Sequence, residues 1–281
     1  MPKIGIISDS TCDLTLELRE KHNIEVIPLL VTIGGKTYKD GEDITTKELF
    51  KLVDENEALP KTSNASPAIL EKYFSEFLEK YDQIIFCGIG SDLSGNYQNA
   101  MIAKDAFEDG KVFVVDSKNL SSGIGLVVLK GCKFRDEGLE ASEIAKKMEE
   151  IVPNVRTQFA INTLKYMHMG GRCSGFTKIL AITLKIKPIL KVVDGVLGVS
   201  KKPIGYNRAL ATLLEYIEND KDHVDPDFVM VTHSLGEEDA PFLKENLAKI
   251  VPECHVEETF AGGVIATHCG PRTIGILYIV K

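Results

Sequence analysis

This 281-residue chain has no tryptophan, which decides little, but its other absences exclude whole classes of function. No apolar run reaches the roughly 20 residues a membrane-spanning helix needs. The N-terminal stretch MPKIGIISDS lacks the charged and apolar regions of a signal peptide, so a cytoplasmic protein is expected. Basic residues are in deficit: 33 Lys and Arg against 41 Asp and Glu give a formal charge of −8. The pairs Lys146-Lys147 and Lys201-Lys202 are too short for a basic patch, which argues against a nucleic-acid surface. The six cysteines contain no C-x-x-C pair and read as reduced thiols. Cys254-His255 and His268-Cys269 are adjacent pairs without the ligand spacing of a metal site. No G-x-x-x-x-G-K-[ST] loop is present, which argues against nucleotide binding by this chain alone. Neither a cofactor nor a metal is therefore expected.

Present instead is an ordinary globular composition, 44% hydrophobic and 26% charged, in a chain long enough for one large or two ordinary domains. The first half alternates strand and helix. Apolar runs at KIGIISD, QIIFCGIG and KVFVVDS read as strands, and EVIPLLVTIGGKTYKDGEDI reads as extended chain with a turn at Gly34-Gly35. Thr45 and Glu48 form a capping-box pattern, and Ser66-Pro67 is a helix start. Leu70, Tyr73, Phe74, Phe77 and Leu78 mark one helical face. Further helices are expected over SGNYQNAMIAKDAF, SSGIGLVVLKGCKF and ASEIAKKMEEIV. This alternation predicts a mainly parallel sheet covered by helices on both faces. In the second half, Asp194-Gly195 between apolar segments predicts a hairpin, followed by strand–helix units and a last strand TIGILYIV. The expected architecture is an N-terminal α/β/α domain, residues 1–155, and a C-terminal α/β domain with a mixed sheet, residues 156–281.

Four stretches could carry chemistry. In QIIFCGIGSDLSGNYQNA a strand ends in glycines and Ser94-Gly95 opens a helix, whose free N–H groups suit an anion; Ser94 could equally serve only as a cap. The stretch is neither a dinucleotide fingerprint, because Leu93 stands at a required glycine, nor a nucleophile elbow, because Asp92 does. LPKTSNASP crowds Thr62, Ser63, Asn64 and Ser66 into one loop, a pattern that turn chemistry also explains. In MHMGGRCSG, Gly170-Gly171 permits close backbone approach just before Arg172, whose fork matches a carboxylate or phosphate; a helix C-cap with a solvated arginine is the alternative. THCGPRTIG offers His268 and Arg272, each with a structural alternative. Asp9 and Asp13, at the end of the first strand, read as caps.

Taken together, ISDSTCDL, VIPLLV, KTYKDGEDI, KTSNASP, GIGSDLSGNYQNA, VDSKNLSSGIGL, LKYMHMGGRCS and HCGPRTIG resemble, in this order and along the whole chain, the DegV family of fatty-acid-binding proteins. The resemblance implies two α/β domains with a long-chain fatty acid bound in a cleft between them. It also implies a partner, the nucleotide-binding component of a fatty acid kinase, which phosphorylates the carboxylate to an acyl phosphate for phospholipid synthesis. On this reading the chain is a binding subunit and not an enzyme. The resemblance assigns the carboxylate to Thr62 and Ser94, with Arg172 and His268 in the surrounding polar network. Family members commonly read Gly-Pro-Gly where this chain has Gly270-Pro271-Arg272, and the stretch after Lys202, often more basic, reads PIGYNRAL here. The competing reading is a small-molecule phosphotransferase or hydrolase using His268 and Ser94.

Overall fold

A computed structural model describes residues 2–169 and 185–281. Among them, β1 (Ile4–Asp9), β2 (Ile24–Ile27), β6 (Gln83–Gly88) and β7 (Val112–Asp116) form a parallel sheet in the order β2-β1-β6-β7. Its strands are apolar on both faces because helices cover both. Period-two alternation divides β1: Ile4 and Ile6 face the core under α1 (Leu16–His22), α5 (Ser122–Asp136) and α6 (Ala141–Ile151), whereas Ile7 faces α3 (Pro67–Leu78) and α4 (Asn96–Lys104). A small antiparallel sheet flanks the second core, with β3 (Leu30–Ile33) between β4 (Lys36–Lys39) and β5 (Lys61–Ser63).

The second half builds a six-stranded mixed sheet in the order β10-β9-β8-β13-β11-β12. Its members are β8 (Val155–Ala160), β9 (Ile189–Val193), β10 (Val196–Lys201), β11 (Val224–Ser234), β12 (Val256–Phe260) and β13 (Thr273–Val280). β11 and β12 are parallel and the other pairs antiparallel. On one face Val229, Val231, Ile274, Ile276 and Tyr278 pack under α8 (Tyr206–Asp220) and α9 (Ala240–Ile250). On the other, Met230, Leu277 and Ile279 pack on α5. That makes α5 a layer common to both large sheets, and its run Ser122–Leu129 is buried on every side. A helix enclosed in this way shows little amphipathic pattern.

Local chemistry explains the element ends. Thr45 Oγ1 accepts from the Glu48 N–H at 3.3 Å while Glu48 returns a bond to the Thr45 N–H at 2.9 Å, completing the capping box of α2 (Thr46–Asn56). Ser66 caps α3 with Pro67 at its first position. Asp194 and Gly195, with φ of 49° and 82°, make the β9–β10 turn. The two-domain α/β architecture expected from the sequence is the one observed, with a cavity between the large sheets. The described cysteines Cys12, Cys87, Cys132, Cys254 and Cys269 are unbridged. Among the described residues no helix is long and apolar enough to cross a membrane.

Candidate functional site

The cavity has a volume of about 300 Å³. Its walls are mostly apolar: Leu29, Ile89 and Leu120 come from the first half, and Phe159, Leu197 and Leu277 from the second. Thr62, Ser94 and His268 also line it, joined by Ser121, Thr232 and Ser234. An apolar chamber with a few convergent polar groups is the usual form of a small-molecule site.

Thr62 is the middle residue of β5, paired with Val31 of β3. The loop after it is tied to α4: the Ala65 N–H donates to Asn96 Oδ1 at 3.3 Å, and Asn99 Nδ2 donates to the Ala65 carbonyl at 2.7 Å. His268 stands near the end of α10 (Gly263–Cys269), and its Nε2 lies 2.9 Å from Thr62 Oγ1. Two residues 206 positions apart thus meet in the chamber wall.

Ser94 lies ahead of α4 and not at its first turn, which corrects the expected helix start. The helix begins at Asn96 and the flanking residue is Gly95, which has no side chain to cap it. Among the described residues Ser94 Oγ reaches only the Asn96 N–H, at 3.3 Å. The start of α4 therefore presents backbone N–H groups and the positive end of its dipole beside the cavity, a setting that favours an anion. The loop before it is held by close approach: a Cβ on Gly90 would lie 2.7 Å from the backbone nitrogen of Asn119.

Arg272 turns away from the chamber. It adopts φ of 57°, the left-handed region that costs a non-glycine residue roughly 1–2 kcal/mol. A glycine would adopt that conformation without the cost. Here the cost is offset outside the cavity: the guanidinium forks onto Asp239 at 3.0 and 3.3 Å and stacks 4.5 Å from the Tyr206 ring. Arg172 lies outside the described residues.

The sequence reading missed two polar elements. On β11, Ser234 shares the face of Thr232, which looks onto α5 and the cavity. Its hydroxyl is buried with no hydrogen-bond partner among the described residues. The second element is a set of buried carboxylates. Asp9 does cap the turn Ser10–Cys12, as expected, but it also accepts from the Ile89 N–H at 3.0 Å and from Asn96 Nδ2 at 2.7 Å, fixing the loop that leads to Ser94. Asp13 and Asp40 lie buried nearby. Burial pushes all three acids above the ordinary carboxylate range, against the pull of their hydrogen bonds. No sequence signal short of the family motifs marks either element. Among the described residues no group of His, Cys, Asp and Glu could hold a metal ion.

Comparison with known proteins adds four likenesses. The family model described as "Uncharacterised protein, DegV family" matches residues 3–281. A DegV domain-containing protein of Clostridium acetobutylicum is 35% identical over 281 residues, spanning 100% of both chains. Among solved structures, a fatty-acid-binding DegV family protein from Thermus thermophilus matches with a TM-score of 0.92 at 31% identity, covering 99% of this chain and 100% of that one. A stearic-acid-binding protein from Eubacterium ventriosum matches with a TM-score of 0.86 at 29% identity, covering 99% and 98%.

Proposed function

This chain belongs to the DegV family, and from that premise we propose that it binds a long-chain fatty acid in the cavity between its sheets. The carboxylate faces Thr62, Ser94 and His268, and Arg172 supplies the balancing charge. The observation that carries this reading is a mostly apolar chamber whose wall also holds the Thr62–His268 hydroxyl–imidazole pair and, from the open start of a helix, Ser94 and Gly95. The names of the Thermus and Eubacterium structures support the class of ligand. Each methylene removed from water contributes about 0.8 kcal/mol, so the tail supplies most of the affinity and the polar end sets orientation. Mass spectrometry of the purified protein, native and then denatured with solvent extraction, tests the reading. Release of a long-chain fatty acid in near-equal amount to protein is expected. An empty protein that also takes up no added palmitate or oleate would overturn it.

The bound acid is then presented to a nucleotide-binding kinase component, which phosphorylates it to an acyl phosphate for phospholipid synthesis. The chain contributes the substrate and no chemistry of its own. Purified alone with ATP and fatty acid it should release no acyl phosphate, and addition of the kinase component should start the reaction. Turnover by the chain alone would instead favour a phosphotransferase or hydrolase built on His268 and Ser94.

A further inference from the structure

His268 is delivered to the cavity by α10, a helix of only seven residues. So short a helix does not hold itself in water; its position is set by what grips it. The grip comes from the opposite end of the chain. The Gly262 N–H donates to Asp13 Oδ1 at 2.8 Å, and the Gly263 N–H donates to Asp40 Oδ1 at 2.6 Å. Thr46 Oγ1 donates to the Ala261 carbonyl at 2.6 Å, pinning the residue just before. The two glycines are bare because the carboxylates occupy the space. A Cβ on Gly262 would stand 3.0 and 3.1 Å from the oxygens of Asp40, and one on Gly263 would stand 3.1 Å from Asp40 Oδ1.

The second oxygens of the same carboxylates reach the cavity wall. Asp13 Oδ2 accepts from the hydroxyl of Ser121, which lines the chamber. Asp40 Oδ2 accepts from Ser10 Oγ at 2.9 Å, and Ser10 Oγ in turn accepts from the N–H of Leu29, another wall residue. Both aspartates are 5% exposed or less. Burying a carboxylate is costly, and ordinary capping is available at the surface from residues that need no burial. Two buried acids gripping one short helix, and bonded at the same time to two walls of the chamber, act on the far end of that helix.

We propose that Asp13 and Asp40 are positioning residues: through the start of α10 they fix His268 against Thr62 and so set the geometry of this polar pair in the cavity wall. Their effect on ligand affinity rests on the fatty-acid reading, whereas the placement of His268 does not. The test uses histidine-labelled full-length protein without ligand, reading the ring nitrogen resonances of His268 (identified with His268→Gln), followed by oleate titration. Asp13→Ala and Asp40→Ala should shift the His268 resonances and weaken oleate binding roughly tenfold or more. Asp40→Asn, which keeps an acceptor for the Gly263 N–H, should restore both. Leu247→Ala, in the core between α9 and the six-stranded sheet, should lower the melting temperature and leave the ring resonances unmoved. Should the alanine variants fail to fold, Gly263→Ala keeps both carboxylates and displaces the helix start, and the same shift is expected. Unmoved His268 resonances in the folded variants, or an equal shift in Leu247→Ala, would overturn the proposal. If the wild-type protein takes up no oleate, the fatty-acid reading falls while the ring resonances still decide the positioning role.

Discussion

Replacing Ser94 by alanine separates what that hydroxyl does for the fold from what it does for a ligand. Among the described residues its only bond is the 3.3 Å contact from the Asn96 N–H, and α4 is flanked by Gly95. Loss of so marginal a cap should cost at most about 1 kcal/mol of stability. A hydroxyl donating to a bound carboxylate contributes about 1.5–3 kcal/mol net, so Ser94→Ala should weaken palmitate roughly 10- to 150-fold. Shortening the ligand by two methylenes, from palmitate to myristate, removes about 1.6 kcal/mol at the apolar end, or roughly 15-fold. Head and tail contacts lie far apart, so the two losses should add to within about 0.5 kcal/mol. Hexadecanol, which keeps the tail and lacks the charge, should discriminate far less between wild type and variant. Displacement of a fluorescent fatty acid reads the affinities, and circular dichroism melts confirm the fold. Unchanged palmitate affinity in a folded Ser94→Ala protein that still discriminates tail length would refute the placement of the carboxylate.

Two further outcomes concern stability. Asp13 is raised above its ordinary value of 3.8 by burial, so the folded state holds its proton more tightly than the unfolded chain does. Its contribution is fully present below that value and is lost as pH rises through the raised folded value, so the charged form is a burden at neutral pH. Asp13→Asn, which keeps an acceptor and can donate to Ser121, should gain in melting temperature relative to wild type as pH climbs from about 4; a pH-independent gap would contradict this. Leu126, 2% exposed in the shared helix α5, should cost about 2–5 kcal/mol when cut to alanine, read from urea unfolding, and a loss below 1 kcal/mol would show that α5 is less tightly enclosed than described.

What could be read from sequence was local. The capping box at Thr45 and Glu48, the start at Ser66-Pro67 and the turn at Asp194-Gly195 depend on residues within a few positions of one another, and each stands as read. The strands β5, β8 and β12 and the helix α10 went unread, and Thr62 and Ser63, read as loop, belong to β5. Val256–Phe260 carries Glu257 and Glu258 and resembles a polar loop, since β12 is an outer strand of the sheet. Gly263–Cys269 is too short for a helical period to show. Thr62, Ser94 and His268 were identified by family motifs, and their convergence on one chamber is visible only in three dimensions. The roles of Asp13 and Asp40 were illegible for the same reason: their partners lie 249 and 223 residues away, and nothing near them in sequence distinguishes such a bond from an ordinary cap.

Because β13 lies between β8 and β11, and α10 is gripped by Asp13 and Asp40, the chamber closes only when residues 261–280 have been made. During synthesis β8 waits with one edge unpaired, and the core that will receive Val264 and Ala266 stands open to solvent. Such an interval exposes strand edge and apolar surface to misassembly. A ribosome-bound chain from which residues 261–281 have not yet emerged should therefore be sensitive to protease and, on the fatty-acid reading, unable to retain its ligand, and emergence of those residues should confer both resistance and capture in one step.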